Sequence, residues 1–229
     1  MRYPDLFITG TDTEVGKTLV SAALVSALRE RGLRAAGIKP LASGARPGPE
    51  GLRNEDGETL WAVSSPGYEY ADINPVALEP AIAPHIAAAE AGRSLVAREL
   101  AAAVRPAQIG DRLVVEGVGG WLVPLSDTET MEDLALLLGF PVVLVVALRL
   151  GCLNHAMLTA ARIRAVGLDL VGWVATEPEA QAARRDENFA CLRETLGAPC
   201  LGRVPNLDRP EAERVRRYLR LPSQSDPSS

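Results

Sequence analysis

The sequence predicts an α/β fold: a doubly wound, mainly parallel sheet with helices on both faces. Three observations predict it. Short apolar runs alternate with segments of helical periodicity almost to the end of the chain. The run Val142 to Ala147 is apolar at every position, as a strand covered on both faces requires. A glycine-bearing loop from Gly10 to Thr18 joins the first strand to the first helix. That junction is where such a fold offers backbone N–H groups and a helix N-terminus to phosphate.

Each element has its own reason. Leu6-Phe7-Ile8 is the first strand, and Leu19, Val20, Ala23, Leu24, Ala27 and Leu28 give a helical stripe that Gly32 terminates. Ala35 to Ile38 is a short buried strand leading into Lys39-Pro40. Pro84 opens a helix running through Ala91, with Gly92 as its stop, and Ser94 is read as the cap of the next, through Val104. Leu113-Val114-Val115 is a strand expected to end in Glu116. Thr130 and Asp133 cap a short helix closed by Gly139. After Val142 to Ala147 come a helix from about Asn154 to Val166, a strand from Leu170 to Ala175, a helix from Ala183 to Leu196 and a strand from Leu201 to Val204. With no internal repeat or linker, residues 1–222 read as one domain, and residues 223–229 as a disordered tail.

The composition excludes several classes. A chain of 229 residues can bury a large core in one unit. A net charge of −5 argues against nucleic acid as a partner, and no polybasic run or long apolar stretch points to a membrane. The start, Met1-Arg2-Tyr3-Pro4-Asp5, runs straight into the first strand without a signal peptide. Cys152, Cys191 and Cys200 lack metal-type spacing and read as reduced packing residues, so the expected location is cytoplasmic.

The loop carries the chemistry. Gly16-Lys17-Thr18 closes a phosphate-binding loop in which Lys17 reaches the terminal phosphates and Thr18 the nucleotide's Mg²⁺. Five residues separate Gly10 from Gly16 where four are usual: either the loop is a variant, or Thr11 stands in the first glycine's place. Lys39 and Glu116 lie at the ends of two other strands, so a parallel sheet brings them to the same crevice. A carboxylate at Glu116 suits a second Mg²⁺ contact, and the glycines after it allow close backbone approach. Asp56, beside Glu55 and Glu58, reads from the residues alone as part of an acidic helix start.

Several motifs together resemble the dethiobiotin synthetase family. They are Gly10 to Thr18, Lys39-Pro40-Leu41-Ala42-Ser43-Gly44, Gly51-Leu52-Arg53-Asn54-Glu55-Asp56, Pro84-His85-Ile86, Val115 to Trp121, and Leu150 to Thr159. The resemblance extends to about Pro205. It implies a Mg²⁺- and ATP-dependent reaction of 7,8-diaminononanoate with CO₂ or bicarbonate, giving dethiobiotin, ADP and phosphate. In that chemistry Lys17 and Lys39 flank a carbamate and the γ-phosphate, while Thr13 and Ser43 donate to their oxygens. Thr18, Asp56 and Glu116 hold Mg²⁺, and Gly119 lets the backbone approach the diamine. The nucleotide is expected along Thr13, Glu14, Val15, Gly16, Lys17 and Thr18, with Glu116 and Gly119. Around its base stand Thr176, Val204, Pro205 and Asn206. Backbone groups of Gly151, Cys152, Leu153 and Asn154 grip the substrate carboxylate. In the family that segment serves the site of a second subunit, so a homodimer is implied. The side chains of Asn154 and His155 are read as cap and packing, His85 as structural, and Trp121 as a wall.

Other classes fit less well. A partitioning-type ATPase normally carries a second lysine near the loop's start, and Gly10-Thr11-Asp12 offers none. A small-molecule kinase needs an arginine-rich lid, for which Arg184-Arg185 is a thin candidate. A binding module without chemistry leaves Lys39, Ser43 and Asp56 unexplained. One departure from the resembled family stands out. Where the family commonly places a base-reading asparagine, this chain has Thr176, and Asn206 or Glu177 is left to stand in. Weak preference for ATP over other nucleotides follows.

Overall fold

The computed structural model describes residues 3–222, except residues 49, 107, 109 and 180–182. The expected tail, 223–229, lies outside the described residues. In chain order the elements are β1 (Leu6–Gly10), α1 (Lys17–Glu30), β2 (Ala35–Ile38), β3 (Leu41–Ser43), β4 (Arg46–Gly48), β5 (Gly51–Arg53), α2 (Glu55–Val63), α3 (Tyr70–Ile73) and β6 (Val76–Leu78). Then come α4 (Pro84–Glu90), α5 (Ala97–Ala103), β7 (Arg112–Gly120), α6 (Met131–Leu138), β8 (Val142–Ala147), α7 (Cys152–Ala165), β9 (Leu170–Thr176), α8 (Arg185–Thr195), β10 (Cys200–Val204) and α9 (Ala212–Val215). A 3₁₀ turn, Arg216–Tyr218, follows.

Six strands form one sheet in the order β10-β9-β8-β1-β7-β2, and every neighbouring pair is parallel. The chain winds outward from β1 in both directions, so the fold is doubly wound. Side-chain alternation divides the core accordingly. Phe7, Ile38, Val115, Leu144, Val146 and Trp173 point to one face, against residues of α2, α5, α6, α7 and α8. Leu6, Ile8, Val114, Val143, Val145 and Val174 point to the other, against Val20, Leu24 and Leu28 of α1. Burial on both faces explains why these strands read as unbroken apolar runs. Two small two-stranded sheets, β3 with β6 and β4 with β5, lie beyond the carboxyl end of β2.

Two expectations need correction. Ser94 does not cap a helix: α5 begins at Ala97, whose N–H is accepted by Glu129 Oε2 at 2.9 Å, a partner from far along the chain. Glu116 does not end its strand. Pairing of β7 with β1 continues, with an irregularity, to Gly120 opposite Gly10. Glu116 is thus an interior strand residue, and it is fully buried. The Thr130–Asp133 capping box and the left-handed Gly139 close α6 as read.

Candidate active site

Parallel pairing places all six strand ends on one edge, and the phosphate loop lies at its centre after β1. The loop's shape follows from a few residues. Glu14 and Gly16 both have positive φ, 56° and 88°. Val15 between them is fully buried, and a Cβ at Gly10 would sit 2.6 Å from its Cγ2. Gly10 therefore belongs to the strand end and stays small so that Val15 can pack. Gly16 forms the N-cap of α1. Lys17, first in that helix, sends its Nζ back to the carbonyl of Asp12 at 2.8 Å. Asp12 is held in turn by Arg149, 2.8 Å away on the segment after β8.

Beside the loop, four side chains converge. Lys39 Nζ lies 2.6 Å from Glu116 Oε1 and 2.9 Å from Asp56 Oδ2. Thr18 Oγ1 donates to the same Glu116 oxygen at 2.8 Å. Lys39 is 3% exposed and Glu116 0%, so these charges survive burial only through one another. Burial opposes the charge on Lys39, but Glu116 and Asp56 outweigh it and hold its pKa above the ordinary 10.5. Burial likewise opposes the Asp56 charge; Lys39, with the Thr18 hydroxyl adding to it, keeps that carboxyl below 3.8. For Lys17 the balance reverses. Burial first, and the charge of Lys39 second, pull it from 10.5 to about 8. Asp56 arrives through α2, whose N-cap Asn54 accepts from the Asp56 N–H at 3.0 Å and donates to the Ser43 carbonyl at 3.1 Å. Lys17 and Lys39 are the two lysines of the sequence.

A Mg²⁺ ion suits this donor set. Thr18, Asp56 and Glu116 offer oxygens, and Glu116 Oε2 is buried with no hydrogen-bond partner among the described residues. Also among the described residues, no group of three or more His, Cys, Asp or Glu could hold a metal by itself. Two carboxylates and a hydroxyl fit a cation that keeps waters and phosphate oxygens in its shell.

A family model described as an AAA domain matches residues 4–214. The chain is 51% identical over 220 residues to the ATP-dependent dethiobiotin synthetase BioD of Pseudomonas aeruginosa (strain LESB58), covering 95% of this chain and 96% of that protein. The protein of the same name from Xanthomonas euvesicatoria pv. vesicatoria is 48% identical over 225 residues, 97% of this chain and 100% of that one. The chain belongs to the dethiobiotin synthetase family.

Solved structures outside that family share the fold. The septum site-determining protein MinD of Pyrococcus horikoshii, complexed with Mg-ADP, matches with a TM-score of 0.57 at 17% identity, over 92% of this chain and 85% of that one. A ParA family ATPase from Chlorobium tepidum matches at 0.54 and 10% identity, over 94% and 90%. No helix among the described residues is long and apolar enough to cross a membrane.

At the β9–β10 end of the same edge the expected nucleotide residues are engaged within the chain. Thr176, at the end of β9, is buried and donates to the Val15 carbonyl at 2.7 Å. It faces the back of the phosphate loop. Glu177 is engaged by Arg185 at 2.7 Å and by Arg203. Asn206, exposed, donates to the Pro178 carbonyl at 2.7 Å. Val204 accepts the Glu177 N–H at 3.0 Å, and Pro205 follows it out of the sheet.

Thr13 is exposed, with its N–H on Asp12 Oδ1 at 2.8 Å, and Ser43 ends β3. Gly119 has φ 59°, and a Cβ there would meet Val123 Cγ2 at 2.7 Å. Helix α7 starts at Cys152 after a left-handed Gly151, so Leu153 lies in its first turn and the exposed Asn154 is not its cap. Left-handed glycine does that work instead. Cys152, Cys191 and Cys200 are free thiols, and burial pushes those of Cys152 and Cys200 above their ordinary value. Trp121 walls a cavity of about 410 Å³ beside Thr11 and Asp12. Its Nε1 donates to Glu132 Oε2 at 2.6 Å, and Arg162 clasps both oxygens of that carboxylate. His85 is half-buried, with Nδ1 unpartnered among the described residues. Sequence reading missed Arg149, Glu132 and Arg162, whose partners are distant in sequence.

Proposed function

We propose that this chain is an ATP-dependent dethiobiotin synthetase, closing 7,8-diaminononanoate and CO₂ into dethiobiotin with release of ADP and phosphate. One observation carries the reading. In a chain about half identical to curated synthetases over its length, Lys17, Lys39, Asp56 and Glu116 meet at one crevice beside the phosphate loop. A substrate amine takes up CO₂ as a carbamate, the γ-phosphate passes to the carbamate oxygen, and the second amine closes the ring and expels phosphate. This chemistry moves negative charge between neighbouring groups and needs no enzyme nucleophile.

The residues divide that work. Lys17 and the loop N–H groups from Thr13 to Thr18 hold the phosphates, and Lys39 meets the carbamate and the transferring phosphoryl oxygens. Thr13 and Ser43 donate to the same anions, and the backbone at Gly119 comes close to the diamine. Thr18, Asp56 and Glu116 hold Mg²⁺, which neutralises phosphate charge. Thr176, Val204, Pro205 and Asn206 border the base. Since the one hydroxyl proton of Thr176 goes to the Val15 carbonyl, Thr176 cannot donate to and accept from a base at once as an amide would, and base preference is weak. Residues 1–222 act as one cytoplasmic catalytic domain without nucleic-acid or membrane partners.

The dimer is part of the proposal. Leu150 is fully exposed, and Met157, Leu158 and Leu122 are exposed nearby in the fold's α7 and the turn after β7. A second copy of the chain covers this apolar face and brings the start of α7, Gly151 to Asn154, to its neighbour's substrate carboxylate. The test of function is dethiobiotin formation, with phosphate release compared with and without diamine plus bicarbonate. Release indifferent to the diamine overturns the reading. The test of the shared site is mixing Lys17→Ala with a variant damaged at Gly151 to Asn154. Activity returns if each hybrid owns one intact site, and its absence despite proven subunit exchange places the site within one chain.

A further inference from the structure

Lys39 occupies a position that the chemistry assigns elsewhere. Its ammonium touches both carboxylates proposed as metal ligands, at 2.6 and 2.9 Å. The third proposed ligand, the Thr18 hydroxyl, is turned onto the same Glu116 oxygen. Two carboxylates are thereby matched by two ammonium groups, one in contact and one, Lys17, close enough to be felt by both acids and by Lys39. A dication arriving alone meets a neutral cluster, one oxygen of each carboxylate already held by Lys39, and the repulsion of two cations. A dication arriving on a nucleotide brings its own excess of negative charge, and those phosphates give the ammonium groups new partners.

We infer that Lys39 is the stand-in counter-ion of the metal ligands in the nucleotide-free protein. The divalent cation therefore loads only together with a nucleotide, and its loading displaces the Lys39 ammonium from Glu116. The inference rests on the proposed metal ligands. It gives the order of events in physical terms: the residue meant for the reacting anions is released when the metal–nucleotide complex is complete. Glu116 Oε2, buried and without a partner among the described residues, is the first foothold for an ion arriving on its nucleotide, and the ion completes its hold as Lys39 leaves Oε1.

Because the sequence has two lysines, ¹³C at the lysine ε-carbon gives two side-chain signals. Lys17→Gln or Lys39→Gln, either one sufficing, assigns them. In the wild-type protein, millimolar Mg²⁺ alone leaves the Lys39 signal in place. A non-hydrolysable ATP analogue in chelator moves Lys17, and adding Mg²⁺ to that complex then moves Lys39. A Lys39 signal that responds to Mg²⁺ alone over the same concentrations, or that never moves in the full complex, overturns the inference. Independently, Mn²⁺ followed by electron paramagnetic resonance without nucleotide binds Lys39→Gln at least about tenfold more tightly than wild type, since a neighbouring like charge is gone. Equal affinity in a folded variant also overturns it, and if that variant does not fold the wild-type spectra decide. None of these measurements uses turnover. A protein that made no dethiobiotin would lose the proposed function, whereas a working synthetase with an immobile Lys39 would lose only this inference.

Discussion

The sheet's carboxyl edge has two ends with opposite habits. Around β1, β2 and β7, buried Lys39 and Glu116 are matched to one another and to the partly exposed Asp56 and Thr18 in one cluster, where the proposed function puts an anionic ligand and a cation. Around β9 and β10, Thr176, Glu177 and Asn206 are already engaged by carbonyls and arginines of the same chain. The difference teaches where recognition resides. Thr176 has a single hydroxyl whose proton goes to the Val15 carbonyl, so it cannot make an amide's paired contact with a base, and under the proposed function phosphate, metal and carbamate are expected to carry the binding.

The sharpest break would come at Lys17. Lys17→Ala is expected to lower dethiobiotin turnover at least a hundredfold, about 2.7 kcal/mol at the transition state, with the fold intact by circular dichroism. Near-normal turnover would remove the phosphate end from its central place. Lys39→Ala should reduce kcat while nucleotide affinity survives better, and the reverse pattern would exchange the roles of the two lysines.

A second test uses pH. Lys17 in the nucleotide-free protein titrates at about 8, and bound phosphates favour its charged form. Nucleotide binding therefore takes up a proton above pH 8. The dissociation constant should rise there, approaching tenfold per pH unit, and calorimetry in buffers of different ionisation enthalpy should register the uptake. A flat affinity from pH 7.5 to 9.5 would show that Lys17 stays charged throughout.

The smallest effect belongs to the base end. Thr176→Ala removes one buried hydrogen bond to the phosphate loop, worth about 1 kcal/mol or roughly fivefold. KM should rise by that factor for ATP, CTP, GTP and UTP alike, and in the wild type kcat/KM should differ among them by less than about a hundredfold. A larger preference for ATP, or one that collapses in Thr176→Ala, would make this end a reader after all.

Much of this was legible because it is local. The alternation of Phe7 with Leu6 and Ile8 in β1 is written in consecutive residues, as are Gly16-Lys17-Thr18 and the Thr130–Asp133 box. Glu116 was placed at the right edge but at the end of its strand, because Gly117 to Gly120 has the composition of a turn and pairs as a strand only against β1. Asp56 was singled out by family resemblance and not by its surroundings, since its meeting with Lys39 depends on how α2 returns to β2. Ser94 looked like a cap until Glu129 supplied the group that holds α5. The strands β3 to β6 are three residues each, too short for periodicity to register.

The scarcity of lysine has a practical side. Arginine supplies the other fixed positive charges of the chain, so its surface is basic in places yet offers no described lysine amine for acylation. An amine-directed reagent would find its lysine targets only in the crevice, both nearly sealed. Under the proposed function, acylation at lysine would report on open crevices, and protection by nucleotide would measure how many are filled. Attachment of a dye or a solid support through lysine would fail for the same reason that it would inactivate. A lysine-specific protease fares no better, with Lys17 buried and Lys39 followed by Pro40.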